Sequence, residues 1–335
     1  MVDNRLNITA DYYINNTNDI LLAVPLPDVL GAAYPPQNAG SVENRGWEVQ
    51  VGWRSKTKDL SYGITANLAD VKNKVTNYGG APPIIGDRIR RVGDPIDAFY
   101  GLVADRIAQE ADFNYNPATG AYTPRFPHIA GDPISPGDII YKVLTPTTDP
   151  NKPYDINDPE REYISLDKDR QTIGSAIPRY TYGFRGDLAW KGLDFSFFLQ
   201  GVGKVDGLLT GQARHAFINQ STMPQQIHMD RWTPDNPDAS YPRLVYNQSY
   251  NTRLSTFWLQ DASYLRLKNI QLGYTLPPGI TKVKSLGKVR VYASAENLFT
   301  KSDFFYGFDP QIPVSSAGIY PQVKTYVFGL SVNLK

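Results

Sequence analysis

From Ile270 to Leu276, and again from Val289 to Glu296, apolar and polar residues take strict turns along the chain. Ile270, Leu272, Tyr274 and Leu276 leave one side, and Gln271, Gly273 and Thr275 the other. In the second stretch Val291, Ala293 and Ala295 oppose Arg290, Tyr292, Ser294 and Glu296. A period of two means extended strands, because successive side chains project from opposite faces. Pro277, Pro278 and Gly279 stop the first strand and Gly287 precedes the second, so the pair reads as a hairpin. The polar side carries full charges beside small residues. That is the pattern of a strand whose apolar face meets lipid while its polar face lines a wet lumen.

The same alternation recurs along the chain. It is found over Arg5–Asn15, Ser41–Arg54, Leu60–Leu68, Arg179–Trp190, Leu193–Gln200 and Thr325–Leu334, and more weakly over Arg88–Val92 and Ala98–Ile107. The reading is an all-β chain of about ten antiparallel strands, each near the length that crosses a bilayer at a tilt. Links near 55–59, 93–96, 191–192 and 277–287 are short. Those near 16–40, 75–87, 109–177, 206–257 and 301–321 are longer. Short turns on one side and long loops on the other are the pattern of an outer-membrane barrel, with little helix beyond a short one near Pro224–Trp232. The stretches 109–177 and 206–257 carry no sustained periodicity, and loops of that length are functional or disordered.

Composition narrows the function. A net charge of +1 gives no reason to expect nucleic acid as a partner, and the absence of Cys removes disulfide scaffolds, Cys-based zinc sites and thiol nucleophiles. No run approaches the ~18 apolar residues of a transmembrane helix, which leaves barrels open, since their strands average to modest hydropathy. The 22 Tyr residues suit interfacial girdles, binding surfaces and strands alike. The first residues, Met1-Val2-Asp3-Asn4-Arg5, have neither the basic nor the apolar region of a secretion signal. For an exported barrel this favours a fragment.

Catalytic chemistry is poorly represented. His128, His215 and His228 lie in the long loops without a metal-type partner three or four residues away, and neither a nucleophile elbow nor a phosphate-cradling Gly-rich loop is present. No cofactor is expected. One acidic cluster, Asp155, Asn157, Asp167 and Asp169, invites comparison with a calcium loop, but the Gly needed for its sharp turn is absent, and a solvated acidic loop is the plainer reading. Trp47, Trp53 and Trp190, near strand ends on the apolar face, read as an interfacial belt. Trp232, Tyr241, Phe304, Phe305 and Tyr306 lie in loops, where aromatics stack on ligands, meet partners, or pin the loop to itself.

Several segments in order carry a resemblance over nearly the whole chain. They are N-A-G-S-V-E-N-R-G-W-E-V from Asn38, R-R-V-G-D-P-I-D-A-F-Y-G from Arg90, P-R-Y-T-Y-G-F from Pro178 and D-F-S-F-F-L-Q-G from Asp194. D-R-W-T-P-D-N-P from Asp230, D-A-S-Y-L-R-L-K-N-I-Q-L-G-Y-T-L-P from Asp261, A-E-N-L-F-T from Ala295 and G-F-D-P from Gly307 complete the set. Together they resemble the C-terminal barrel strands of SusC/RagA-family TonB-dependent outer-membrane transporters. The resemblance implies a barrel of about 22 strands with an N-terminal plug, placed in the outer membrane of a Gram-negative bacterium. It further implies import of oligosaccharides or peptides, driven by TonB and assisted by a SusD-like surface lipoprotein. Residues 1–335 would supply the C-terminal part, with long extracellular loops, short periplasmic turns, and no plug or TonB-contacting segment.

Two other readings compete. A complete ten-stranded barrel of the omptin protease type would need Asp and His pairs at its rim. A soluble β-sandwich carbohydrate-binding module would bury its Tyr, Phe and Leu faces in a core.

Overall fold

The computed structural model describes residues 5–23, 36–80, 83–145, 163–217, 222–246, 249–277, 286–305, 307–312, 314–315 and 322–334. Its main element is one antiparallel sheet of eight strands in chain order. These are β1 (Leu6–Ala23), β2 (Pro36–Lys56), β3 (Leu60–Tyr78), β4 (Tyr180–Trp190), β5 (Leu193–Gly203), β6 (Tyr264–Thr275), β7 (Leu286–Ser302) and β8 (Thr325–Leu334). Short links join β2 to β3, β4 to β5 and β6 to β7, and long ones make the other four connections. This is the alternation the sequence implies.

Register turns eight alternating sequences into one two-faced wall. Ile8 pairs with Val51 and Val51 with Ala66; Ala66 meets Phe184 and Phe184 meets Leu199. Farther along, Phe197 pairs with Ile270, Ile270 with Ala295 and Ala295 with Tyr326. Every pair is apolar, so one apolar face runs unbroken from β1 to β8, and a one-residue slip anywhere would break it. Much of it is bare: Ile8, Tyr12, Leu272, Phe328 and Leu330 are exposed, although a water-facing sheet would hide them. The opposite face is polar. There Arg290 on β7 donates to Asp194 on β5 at 2.9 Å across the intervening β6. Gly273 on β6 makes the crossing possible, since a Cβ there would lie 2.3 Å from the guanidinium.

Strands β1, β2 and β3 run 18, 21 and 19 residues, about twice the length needed to cross a bilayer at a tilt. Their halves toward the long connections therefore stand clear of the apolar band.

The expected strands over Arg88–Val92 and Ala98–Ile107 do not belong to the wall, which has eight strands rather than ten. Arg88–Ile89 and Ala98–Leu102 join Ile84–Ile85 and Arg170–Gly174 in a separate four-stranded sheet, and Ala104–Ile107 pairs with Ile139–Tyr141. The physical reason is burial: all five residues of Ala98–Leu102 are buried, with no wet face for alternation to mark. The link at 93–96, read as a turn between wall strands, instead meets β3 beside the long connections, where Gly93 and Asp94 bond to Val75.

The long connections also differ from aperiodic loops, since their described parts fold together as a cap. Phe99, Leu102, Ile139, Leu209, Tyr250 and Trp258 are nearly inaccessible and form its centre. Backbone bonds tie distant segments: Leu102 donates to Leu254 and Ala108 to Asp138. At its heart the Asp138 carboxylate, wholly buried, accepts from Arg243 at 2.7 and 2.8 Å and from Asn251 at 2.7 Å. Asn251 in turn accepts the Ile139 amide at 2.9 Å. Among the described residues helix is confined to one four-residue turn, Gly211–Arg214, and short 3-10 segments, including Gln226–Met229 within the stretch where a helix is expected.

Candidate functional site

An aromatic-lined opening lies where segments 226–260 and 303–307 meet, beyond the long-connection end of β6 and β7. It is a cavity of about 610 Å³, within the ~300–1,000 Å³ typical of ligand sites. Its inner wall is aromatic. Trp258 and Tyr241 meet edge to face at 5.2 Å, Phe257 lies 5.0 Å from Trp258, and Phe304 and Phe305 sit 5.1 Å apart. Its mouth is polar, because Gln226, Ser240, Gln260 and Asp303 line it and are exposed. An apolar floor under a mouth of amide, hydroxyl and one carboxylate group suits flat, hydroxylated or amide-bearing ligands.

Each wall has a local cause. In D-R-W-T-P-D-N-P the Asp230 carboxylate folds the chain back on itself, accepting Asn236 Nδ2 at 3.1 Å and Ser240 Oγ at 2.6 Å. These bonds hold its carboxyl below the usual carboxylate range. The fold-back is closed by Trp232 N–H donating to Tyr241 C=O at 2.7 Å and Tyr241 N–H to Asp230 C=O at 3.0 Å. On the other side, two of the resembling segments meet. Arg266 of D-A-S-Y-L-R-L-K is almost fully buried and donates to Asp309 of G-F-D-P at 2.7 Å, to Gln311 at 2.6 Å and to Thr300 at 2.8 Å. That ion pair fixes the segment bearing Phe304 and Phe305 over the end of β6. Sequence inspection lists both motifs without showing that they bind each other, because 43 residues separate the partners.

The aromatics singled out from sequence divide as follows. Tyr241, Phe304 and Phe305 converge on the cavity, with Tyr241 and Phe304 buried and Phe305 half-buried. Trp232 does not line it. It is buried in the cap, donating Nε1–H to Gln109 at 3.0 Å and covering Gly137, whose φ of +89 and 2.3 Å clearance leave no room for a Cβ. Tyr306 lies outside the described residues. Phe257, Trp258 and Gln260 were not singled out; their signal was position, immediately before the strand-forming D-A-S-Y-L run.

Of the acidic cluster, Asp155 and Asn157 lie outside the described residues, and Asp167 is exposed. Asp169 is buried and uses both oxygens on backbone amides. Leu144 and Thr145 donate to one at 2.8 and 3.0 Å, and Ser165 to the other at 2.6 Å. Its place in the fold is that of a loop staple. Among the described residues no group of three or more His, Asp or Glu is arranged to hold a metal ion.

The histidines are not gathered at a rim. His128 stacks edge-on against Tyr163, His215 follows the Gly211–Arg214 turn, and His228 is buried against Tyr241 at 4.9 Å. The omptin alternative fails on this and on a sheet that, among the described residues, has eight strands and does not close. The sandwich alternative fails because, among the described residues, no second sheet covers the apolar face and the buried core belongs to the cap. The wall's Trp residues keep their expected face, with Trp53 and Trp190 toward the short turns, but Trp47 stands in the middle of β2 rather than near a strand end, because β2 continues past the alternating stretch.

The family described as TonB dependent receptor-like, beta-barrel matches residues 2–298. TonB-dependent receptor P3 of Formosa agariphila is 28% identical over 99% of this chain and 33% of its own length. TonB-dependent receptor SusC of Bacteroides thetaiotaomicron is 24% identical over 99% of this chain and 30% of its own length. The chain thus spans about a third of the length of the curated relatives it matches. The solved structure of the RagAB peptide transporter superposes with a TM-score of 0.71 at 24% identity, over 98% of this chain and 34% of that one. A two-faced eight-stranded wall with a folded cap at one end and this run of matches agree: the chain belongs to the TonB-dependent receptor β-barrel family.

Proposed function

We propose that residues 1–335 supply the C-terminal part of the wall, and part of the outward-facing cap, of an importer energised through TonB. Members of the family are outer-membrane transporters, not enzymes. On this reading β1 and β8 pair with further strands of the same barrel, the short links face the periplasm, and the cap faces the medium. The cargo is an oligosaccharide or a peptide. The observation that carries the reading is the unbroken apolar face across eight registered strands, backed by a polar face that bears the Arg290–Asp194 pair.

The aromatic cavity is the cargo-contacting surface within this chain, with Phe305 as its most accessible aromatic contact beside Phe257. A SusD-like surface lipoprotein is the partner of the cap. Met223, Met229 and Tyr246 support this: they stand 82%, 71% and 56% exposed on the 222–246 segment, and such side chains are over-used where proteins dock. The test is uptake by cells carrying the whole importer, offered oligosaccharides and peptides in turn. Phe305→Ala should reduce uptake of the true cargo several-fold at unchanged surface abundance. Unchanged uptake of every cargo would overturn the assignment of the cavity.

A further inference from the structure

A notch opens in the wall where β3 parts from β4. The two strands pair as far as Asp70–Tyr180, and Val71 N–H still donates to Arg179 C=O at 2.9 Å. Four residues farther along β3 the edge is covered instead by the 93–94 turn, which bonds to Val75. The cavity left between holds about 570 Å³. Its charge is lopsided. Arg45, Lys72, Lys74 and Lys204 line it and are exposed, while Glu43 and Asp206 are its acidic groups.

The placement of these cations matters more than their number. Strand alternation puts Arg45 on the face of Trp47, and Lys72 on the face of Leu68 and Asp70. Arg45 and Lys72 are register partners, as are Glu43 and Lys74. The basic residues therefore stand on the apolar side of the wall, directly beyond the band that ends at Trp47, Leu68 and Tyr180, at its long-connection end. Just below them Arg179 is already held by Asp70, through Nη2 at 2.9 Å and through Nε. Lumen-facing cations would serve cargo. Cations on the outer face, one step past the hydrocarbon boundary, meet headgroups.

We infer that this notch binds the phosphate-bearing headgroup of an anionic lipid in the outward leaflet. The acyl chains would lie on the apolar band, and Lys72, Lys74 and Arg45 would meet the phosphate. The inference rests on reading the apolar face as lipid-facing, and not on which cargo is carried.

The test uses the whole purified importer in neutral detergent, titrated with a phosphorylated glycolipid (lipid A) and with its dephosphorylated form, and followed by native mass spectrometry. The phosphorylated form should bind at least ten-fold more tightly. Lys72→Gln with Lys74→Gln should remove most of that preference, since each basic residue near an anionic headgroup contributes roughly five-fold. Glu43→Gln removes an opposing carboxylate beside Arg45 and should strengthen binding, which keeps the test decisive if the double variant folds poorly. Equal affinity for both lipids, or the same preference in every variant, would overturn the inference. So would millimolar inorganic phosphate displacing the lipid, which would assign the notch to a free anion. Cargo uptake measured alongside separates the outcomes, because lipid binding can fail while import persists.

Discussion

Arg266 and Asp309 show how much of this structure rests on single side chains. Both are almost fully buried, and removing one partner of a buried ion pair leaves an uncompensated charge, at a cost of about 3–5 kcal/mol. Asp309→Ala should therefore release segment 303–312 and raise its cleavage by added protease. Arg266→Met with Asp309→Leu should restore much of the protection, because no lone charge remains; cleavage as fast as in the single variant would show that the pair is not what holds the segment. His228 offers a pH-dependent counterpart. Burial pushes its pKa down, and its Nδ1 accepts the Gln225 amide at 2.8 Å, which requires a bare nitrogen. An unfolded histidine titrates near 6.5. Below that value the unfolded segment gains a proton that the fold refuses, so the cap loses stability as pH falls through this range and is unaffected above it. Hydrogen exchange over 222–246, corrected for intrinsic rates, should be faster relative to the rest of the cap at pH 5 than at pH 7.5. Equal relative protection at both values would refute this. From sequence alone His228 is an aperiodic loop residue, and nothing in its neighbours signals burial. The same holds for Trp232 and Tyr241, whose burial depends on residues up to 123 positions away.

Elements divide by how many wet faces they have. The wall strands were legible because each has one apolar and one polar side, and period two records that difference wherever it persists. Ala98–Leu102 was misplaced in the wall because it is buried on both sides, so its sequence states burial without stating against what. The lengths of β1 to β3 were underestimated because polar residues beyond the bilayer continue to pair without alternating. Asn73 and Asn44, for instance, bond side chain to side chain at 2.8 Å above the apolar band. The faces themselves can be tested. Phe197 lies on the apolar side, its ring over Gly186, and its neighbour Ser196 pairs with Gln271 on the polar side. Phe197→Arg should destabilise the assembled barrel in lipid by roughly 2–4 kcal/mol, while Ser196→Arg should cost much less. Equal losses in folding titrations would mean that the faces are assigned wrongly.

At the scale of the whole molecule the sheet runs from β1 to β8, and among the described residues those two strands do not pair. Each therefore carries an edge of backbone donors and acceptors. In hydrocarbon every unsatisfied group costs several kcal/mol, so a sheet in lipid must close or find further strands. Closure on itself is a poor solution, since a barrel of about eight strands has a lumen just wide enough to be filled by side chains. The polar face here already holds Tyr13, Tyr292 and the Arg290–Asp194 pair. Such a ring would pass neither an oligosaccharide nor a peptide. On the proposed reading the wall is therefore an arc of a wider barrel, with β1 and β8 paired to other strands. Cells carrying these 335 residues alone should show no TonB-dependent uptake, and the extracted chain should migrate identically with and without heating, lacking the compact form of a closed barrel. Supplying the remaining strands of the same barrel on a second chain should restore heat-modifiable migration. Energised uptake by the 335-residue chain alone would show that eight strands suffice, and would refute the arc.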